Sequence, residues 1–104
     1  MNPVKRIEII SDAIEFHKIT AALKQSGIMR YTVIRNVEGK GIRGTATTDL
    51  DGMENDYVIA ICTPEQMERA IGKIRPILNR FGGVCLISDA MEIRSMQCTA
   101  GESE

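Results

Sequence analysis

Histidine is nearly absent from this 104-residue chain, where His17 stands alone. No spacing motif joins it to Cys62 or Cys85, so the sequence offers no metal-ligand pattern. Glu15 and Lys18 lie close to it in sequence, but residues one or two apart on a helix do not face each other, and His17 reads as a surface residue. An excess of charge of either sign is also missing: 13 Lys and Arg stand against 14 Asp and Glu, a net charge of -1. That balance excludes the basic footprint of a nucleic-acid binder. No apolar run approaches the roughly 20 residues that span a bilayer, which excludes direct membrane insertion. Met1 to Arg6 lack the charged-then-apolar layout of a signal peptide, and the expected location is the cytoplasm. Cysteine is sparse and odd in number. Cys62 and Cys85 lie inside apolar runs and read as reduced core thiols, whereas Cys98 falls in a polar tail.

What is present is a regular alternation of two periodicities. Val4 to Ile10 is rich in β-branched residues and reads as a strand. Ser11 follows as an expected helix N-cap, with Asp12 and Glu15 in the first turn. Ile14, Ile19, Ala22 and Leu23 then recur at helical spacing over about four turns, and Gly27 closes the helix. Tyr31 to Val37 is a second strand, and Tyr57 to Cys62 a third. Thr63-Pro64-Glu65-Gln66 combines an N-cap threonine, a proline at the first helical position and a glutamine three residues after the cap. The helix it starts carries Met67, Ala70, Ile71, Ile74, Ile77 and Leu78 on one face, with a kink or loosening expected at Pro76. Gly82-Gly83 stops it. Val84 to Ser88 reads as a buried fourth strand, and Met91 to Met96 as a short additional edge strand.

The order β-α-β-β-α-β predicts an α+β domain of the ferredoxin-like, split βαβ type: a four-stranded antiparallel sheet with two helices on one face. The domain is expected over residues 1–96, with 97–104 as a flexible C-terminal tail. Two helices cover only one side of such a sheet. Yet Val58-Ile59-Ala60-Ile61 and Val84-Cys85-Leu86-Ile87 are apolar at every position, as in strands buried on both faces. Self-association through the open face follows as the expectation.

Residues 38–55 break the pattern, with four glycines and three threonines and almost no apolar periodicity. Long loops in small domains tend to be functional or mobile. This one opens Gly39-Lys40-Gly41-Ile42-Arg43-Gly44. Glycines at alternate positions let backbone amides approach an anion, and Lys40 and Arg43 add charge, which suits phosphate. A flexible turn with solubilising charges is the competing reading, because the segment is neither a Walker A motif nor a dinucleotide fingerprint. Arg80-Phe81-Gly82-Gly83 is a second glycine segment, most simply a helix stop. Asp49, Asp51 and Glu54 match no calcium loop. No nucleophile has a visible base and no carboxylate pair a defined spacing, so no catalytic residues are assigned and the chain does not read as an enzyme.

Tyr31-Thr32-Val33 entering a strand, the Gly39-Lys40-Gly41 loop base, the long loop, and Gly82-Gly83-Val84 before Ser88-Asp89 together resemble PII-type signalling proteins. The resemblance runs over most of Val4 to Arg94. It is nearer to the compact PII-like branch associated with inorganic-carbon transport than to nitrogen-regulatory PII. Only Arg80-Phe81-Gly82-Gly83 stands where that second branch has a glycine- and lysine-rich loop, and the long loop is shorter. The step from Thr32 to Gly39 is also one residue longer, and Tyr57 borders a strand. The resemblance implies a homotrimer with sheets facing inward and an adenine nucleotide (AMP, ADP, ATP or cyclic AMP) in each cleft between subunits, with no covalently bound cofactor. By carry-over, Thr32 contacts the base region, and Gly39, Lys40 and Gly41 the phosphates. Gly82, Gly83 and Arg80 come from the neighbour, and Arg43 reaches a phosphate or a target. It further implies a regulator of a membrane transporter or metabolic enzyme in carbon or nitrogen metabolism, acting through the loop. A trimeric CutA-like metal-responsive protein is the alternative, and a small enzyme on the same superfold a third reading.

Overall fold

The computed structural model describes residues 1–39 and 54–96. Its elements run β1 (Asn2–Asp12), α1 (Phe16–Gln25), β2 (Tyr31–Val37), β3 (Asn55–Cys62), α2 (Pro64–Phe81) and β4 (Gly83–Glu92). All three strand pairings are antiparallel, and the sheet order is β2-β3-β1-β4. This is the split βαβ arrangement expected from the element order.

Alternation along the strands defines the two faces. Ile7 and Ile9 of β1 and Val58, Ala60 and Cys62 of β3 are buried against Phe16, Ile19, Ala22 and Leu23 of α1 and Ala70 and Ile74 of α2. Tyr31 and Val33 of β2 pack against the same core. The intervening residues point to the other face, where no helix of the described residues lies. There Ile34 is 50% and Leu86 59% exposed. β4 is an edge strand, so the expectation of a buried fourth strand is corrected: within one chain its apolar residues meet solvent on the open face.

Both helices are closed by local chemistry. Thr63 accepts from the Gln66 amide at 3.1 Å while the Gln66 side chain accepts from the Thr63 amide at 3.0 Å, a reciprocal cap with Pro64 in the first turn. At the end of α1, the Gly27 amide donates to the Lys24 carbonyl and the Ile28 amide to the Leu23 carbonyl, with Gly27 at φ 87°. Buried Ile28 and Leu23 complete the apolar contact of this Schellman turn. Gln66 Nε2 and Arg69 Nη2 then donate to the Gly27 and Ser26 carbonyls, tying the start of α2 to the end of α1.

Three boundaries differ from the sequence expectation. Ser11 caps no helix. It is a buried β1 residue paired with both Asp56 and Gly83, and α1 starts only at Phe16, over about three turns. Pairing on both sides holds β1 extended through Ser11, Asp12 still pairs with Asn55, and Ile14 is left 78% exposed rather than on the apolar face. α2 runs uninterrupted through Pro76. The residue four back, whose carbonyl Pro76 cannot serve, is Gly72, with nothing within 4 Å of where its Cβ would be. Finally, Met91 belongs to β4 itself; a single strand runs from Gly83 to Glu92 with no separate edge strand after it among the described residues.

Candidate functional site

The sequence-assigned residues fall into two groups. Thr32, exposed on the open face of β2, pairs across the sheet with Ile59. Gly39 lies just beyond the end of β2 and is exposed. Lys40, Gly41 and Arg43 lie outside the described residues, as do Asp49, Asp51 and Cys98. The second group, Arg80, Gly82 and Gly83, sits where α2 gives way to β4.

The base of the loop is built by Asp56. This carboxylate is buried, and it accepts from the Asn36 amide at 3.1 Å and from Arg35 Nη1 at 3.2 Å. Asn36 stands at φ 58° within the irregularity that separates the Ile34 and Val37 pairings. A short polar residue tolerates that left-handed conformation better than a branched one. One side chain in β3 thus fixes the end of β2, and so the point from which the loop leaves the sheet.

The second group is fixed as firmly. Gly82, at φ 82°, ends α2 with its amide on the Leu78 carbonyl at 2.8 Å. Its own carbonyl accepts from Ser11 Oγ at 2.7 Å. Gly83 opens β4 opposite Ser11 at φ 128°. Beside them the Phe81 ring carries two cations: Lys18 Nζ lies 4.9 Å and the Arg80 guanidinium carbon 5.5 Å from its centroid.

Strand register places Gly39 and the second group toward the same end of the sheet, since Val37 pairs with Asn55, Asn55 with Asp12, and Ser11 with Gly83. Thr32, opposite Ile59, lies in line with Glu8 and Leu86 farther along. Strand order places the two groups at opposite edges, with β3 and β1 between. Three strand spacings separate β2 from β4, about 14 Å. Among the described residues, one chain therefore does not bring the two groups together.

Polar groups on the open face are satisfied among themselves. Tyr57 donates to Glu8 Oε2 at 2.7 Å, Arg6 Nε donates to Ser88 Oγ at 3.1 Å, and Arg6 lies 3.9 Å from Glu8. Burial first, and then the bond to Glu8, push the Tyr57 phenol above its ordinary 10.0, with Arg6 opposing. Because the folded value is raised, the phenol's contribution to stability is complete below pH 10 and is lost as pH climbs through that higher value. Ultraviolet titration should therefore show a tyrosine ionising late, above pH 10, and Tyr57→Phe should remove that phase. The substitution should cost about 1 kcal/mol at neutral pH.

Burial likewise raises the thiols of Cys62 and Cys85, Arg75 opposing it at Cys85, and so holds both away from the reactive thiolate. His17 is exposed, as expected, beside a cleft of about 160 Å³ that Thr20 and Arg35 also line. Among the described residues no three His, Cys, Asp or Glu side chains are grouped to hold a metal, and no helix is long and apolar enough to cross a membrane.

Asp56 and Ser11 hold the two candidate groups in place, and reading the sequence alone did not single them out for it. The one available signal was for Asp56, an acidic residue at the junction of a glycine-rich loop and an apolar strand.

These features define a class: a ferredoxin-like split βαβ domain with glycine-bordered segments at both outer strands and a long connection between β2 and β3. The chain belongs to the nitrogen regulatory protein P-II family, whose model matches residues 4–97. No curated protein sequence matches it. Among solved structures it is similar to CPII from Thiomonas intermedia K12 bound to ADP, AMP and acetate, with 24% identity and a TM-score of 0.77 over 89% of this chain and 91% of that one. A PII-like signalling protein from Thermus thermophilus matches with 18% identity and a TM-score of 0.71, over 92% and 95% of the two chains. The GlnK–ATP complex of B. subtilis matches with 13% identity and a TM-score of 0.66, over 92% and 91%. At these identities the likeness establishes the fold.

Proposed function

We propose that this protein is a PII-like signal-transduction regulator that binds an adenine nucleotide in clefts between the subunits of a homotrimer. One observation carries the reading: Thr32 and Gly39 stand at one edge of the sheet and Arg80, Gly82 and Gly83 at the other. A site that uses both groups is completed only by a second copy. The open face supports the assembly, since among the described residues its apolar side chains are left exposed and its charges are already paired, so burial leaves no isolated charge. The ligand class is supported by the ADP and AMP bound to CPII and the ATP bound to GlnK. The nucleotide favours one state of the loop at residues 38–55, and a transporter or enzyme of carbon or nitrogen metabolism reads that state in the cytoplasm.

Isothermal titration calorimetry with AMP, ADP, ATP and cyclic AMP, with and without magnesium, tests this reading. Micromolar binding of at least one nucleotide is expected, weakened at least about a hundredfold when Lys40 and Arg43 are both changed to alanine and their charge-assisted bonds are lost. Binding of none, or binding indifferent to that change, would overturn it. Nothing in the described residues favours the CutA-like metal reading.

A further inference from the structure

We infer that Lys18 contacts the phosphates beside Arg80, so that the site favours nucleotides with two or more phosphates over a monophosphate. The inference rests on the nucleotide reading above and adds to it a residue from a helix with no part in the glycine segments. Lys18 lies in the first turn of α1, and Arg80 in the last turn of α2. The fold brings their charges against one ring, both within 5.5 Å of the Phe81 centroid. Two cations held against one ring repel each other, and the ring quadrupole offsets part of that cost. Glu15, 3.2 Å from Lys18, supplies a single negative charge for the pair. The cluster thus keeps an excess positive charge, and an anion is the ligand that balances it.

Two further features favour a phosphate chain. The N-terminus of α1 has no acidic residue in its first turn and no side-chain capping bond, so only the N-cap Glu15, already set against Lys18, offsets its partial positive charge. The backbone next to the ring is also held still, because Ser11 fixes the Gly82 carbonyl and Gly83 abuts Ile10. Lys18 and Arg80 approach from separate helices. A single phosphate is held by one of them, whereas a diphosphate has oxygens enough and length enough to engage both.

The test is calorimetry of the full chain with ADP and with AMP, comparing the unaltered protein with Lys18→Met, Lys18→Arg and Glu15→Gln. Lys18→Met should weaken ADP about tenfold, the loss of one charge-assisted bond, and weaken AMP about threefold or less. It should also flatten the salt dependence of ADP binding while leaving thermal unfolding of the free protein unchanged. Lys18→Arg should bind ADP as the parent does, and Glu15→Gln should bind it more tightly. If the unaltered protein binds ADP and Lys18→Met binds it equally well, or loses ADP and AMP to the same degree, the assignment of Lys18 falls and the nucleotide reading stands. If the unaltered protein binds no nucleotide, both fall together.

Discussion

Gly83→Ala should unfold at a markedly lower denaturant concentration than the parent, with a loss of about 3–5 kcal/mol from combined backbone strain and overpacking. A Cβ at this position would stand 2.4 Å from the Ile10 carbonyl oxygen and 2.9 Å from both Cβ and Oγ of Ser11. Ile10 and Ser11 belong to a strand paired on both sides, so neither can retreat without breaking a ladder. The φ of 128° adds a second penalty that only glycine avoids. Domains of this size are stable by about 5–15 kcal/mol, so the change removes a large share of the total. Gly27→Ala is the control. Its φ is also positive, but its Cβ would meet only the side-chain ends of Arg69 and Gln66 at 3.4 Å, so about 1 kcal/mol is expected. Guanidinium unfolding of both variants decides the matter: equal midpoints would mean that steric contact at Gly83 plays no part.

Asp56→Ala should cost about 2–3 kcal/mol, because it leaves the Asn36 amide without its acceptor and removes the buried end of an ion pair. The loss stays below that of a fully buried pair because Arg35 is 73% exposed and solvates readily once released. Asp56→Asn keeps an acceptor for the Asn36 amide and should lose only about 1 kcal/mol. The two substitutions should separate further in nucleotide affinity than in stability, since the carboxylate sets where the loop leaves β2. Denaturant unfolding and ADP titration of both variants measure the two effects. Equal stability of Asp56→Ala and the parent would show that the loop base does not depend on this carboxylate.

Sequence was informative where structure is made by neighbours in the chain. The reciprocal cap at Thr63 and Gln66 and the turn at Gly27 rest on contacts within a few residues, and each lies where the pattern put it. Ser11 misled because serine followed by acidic residues is a proper helix start, and only tertiary pairing on both sides of β1 keeps it extended. Val84 to Ile87 are apolar throughout, which signals burial without saying by what; the sheet order makes β4 an edge, and under the proposed trimer a second copy covers it. For the site, the glycine segments were legible as motifs. Their supports were not: Asp56 acts on Asn36 across 20 residues, Ser11 on Gly82 across 71, and Lys18 meets Phe81 only because α1 and α2 pack side by side.

The central claim is that the nucleotide site is shared, one half from the β2 edge of one chain and one half from the β4 edge of the next. Subunit mixing tests it most directly. Lys40→Ala with Arg43→Ala disables the first half, and Arg80→Glu disables the second. Each variant alone is predicted to bind ADP at least about a hundredfold more weakly than the parent, whereas the two denatured and refolded together should recover parental affinity in about one cleft in four, as random mixing in a closed ring requires. A mixture that binds as weakly as its two components would place both halves in the same chain and contradict the account.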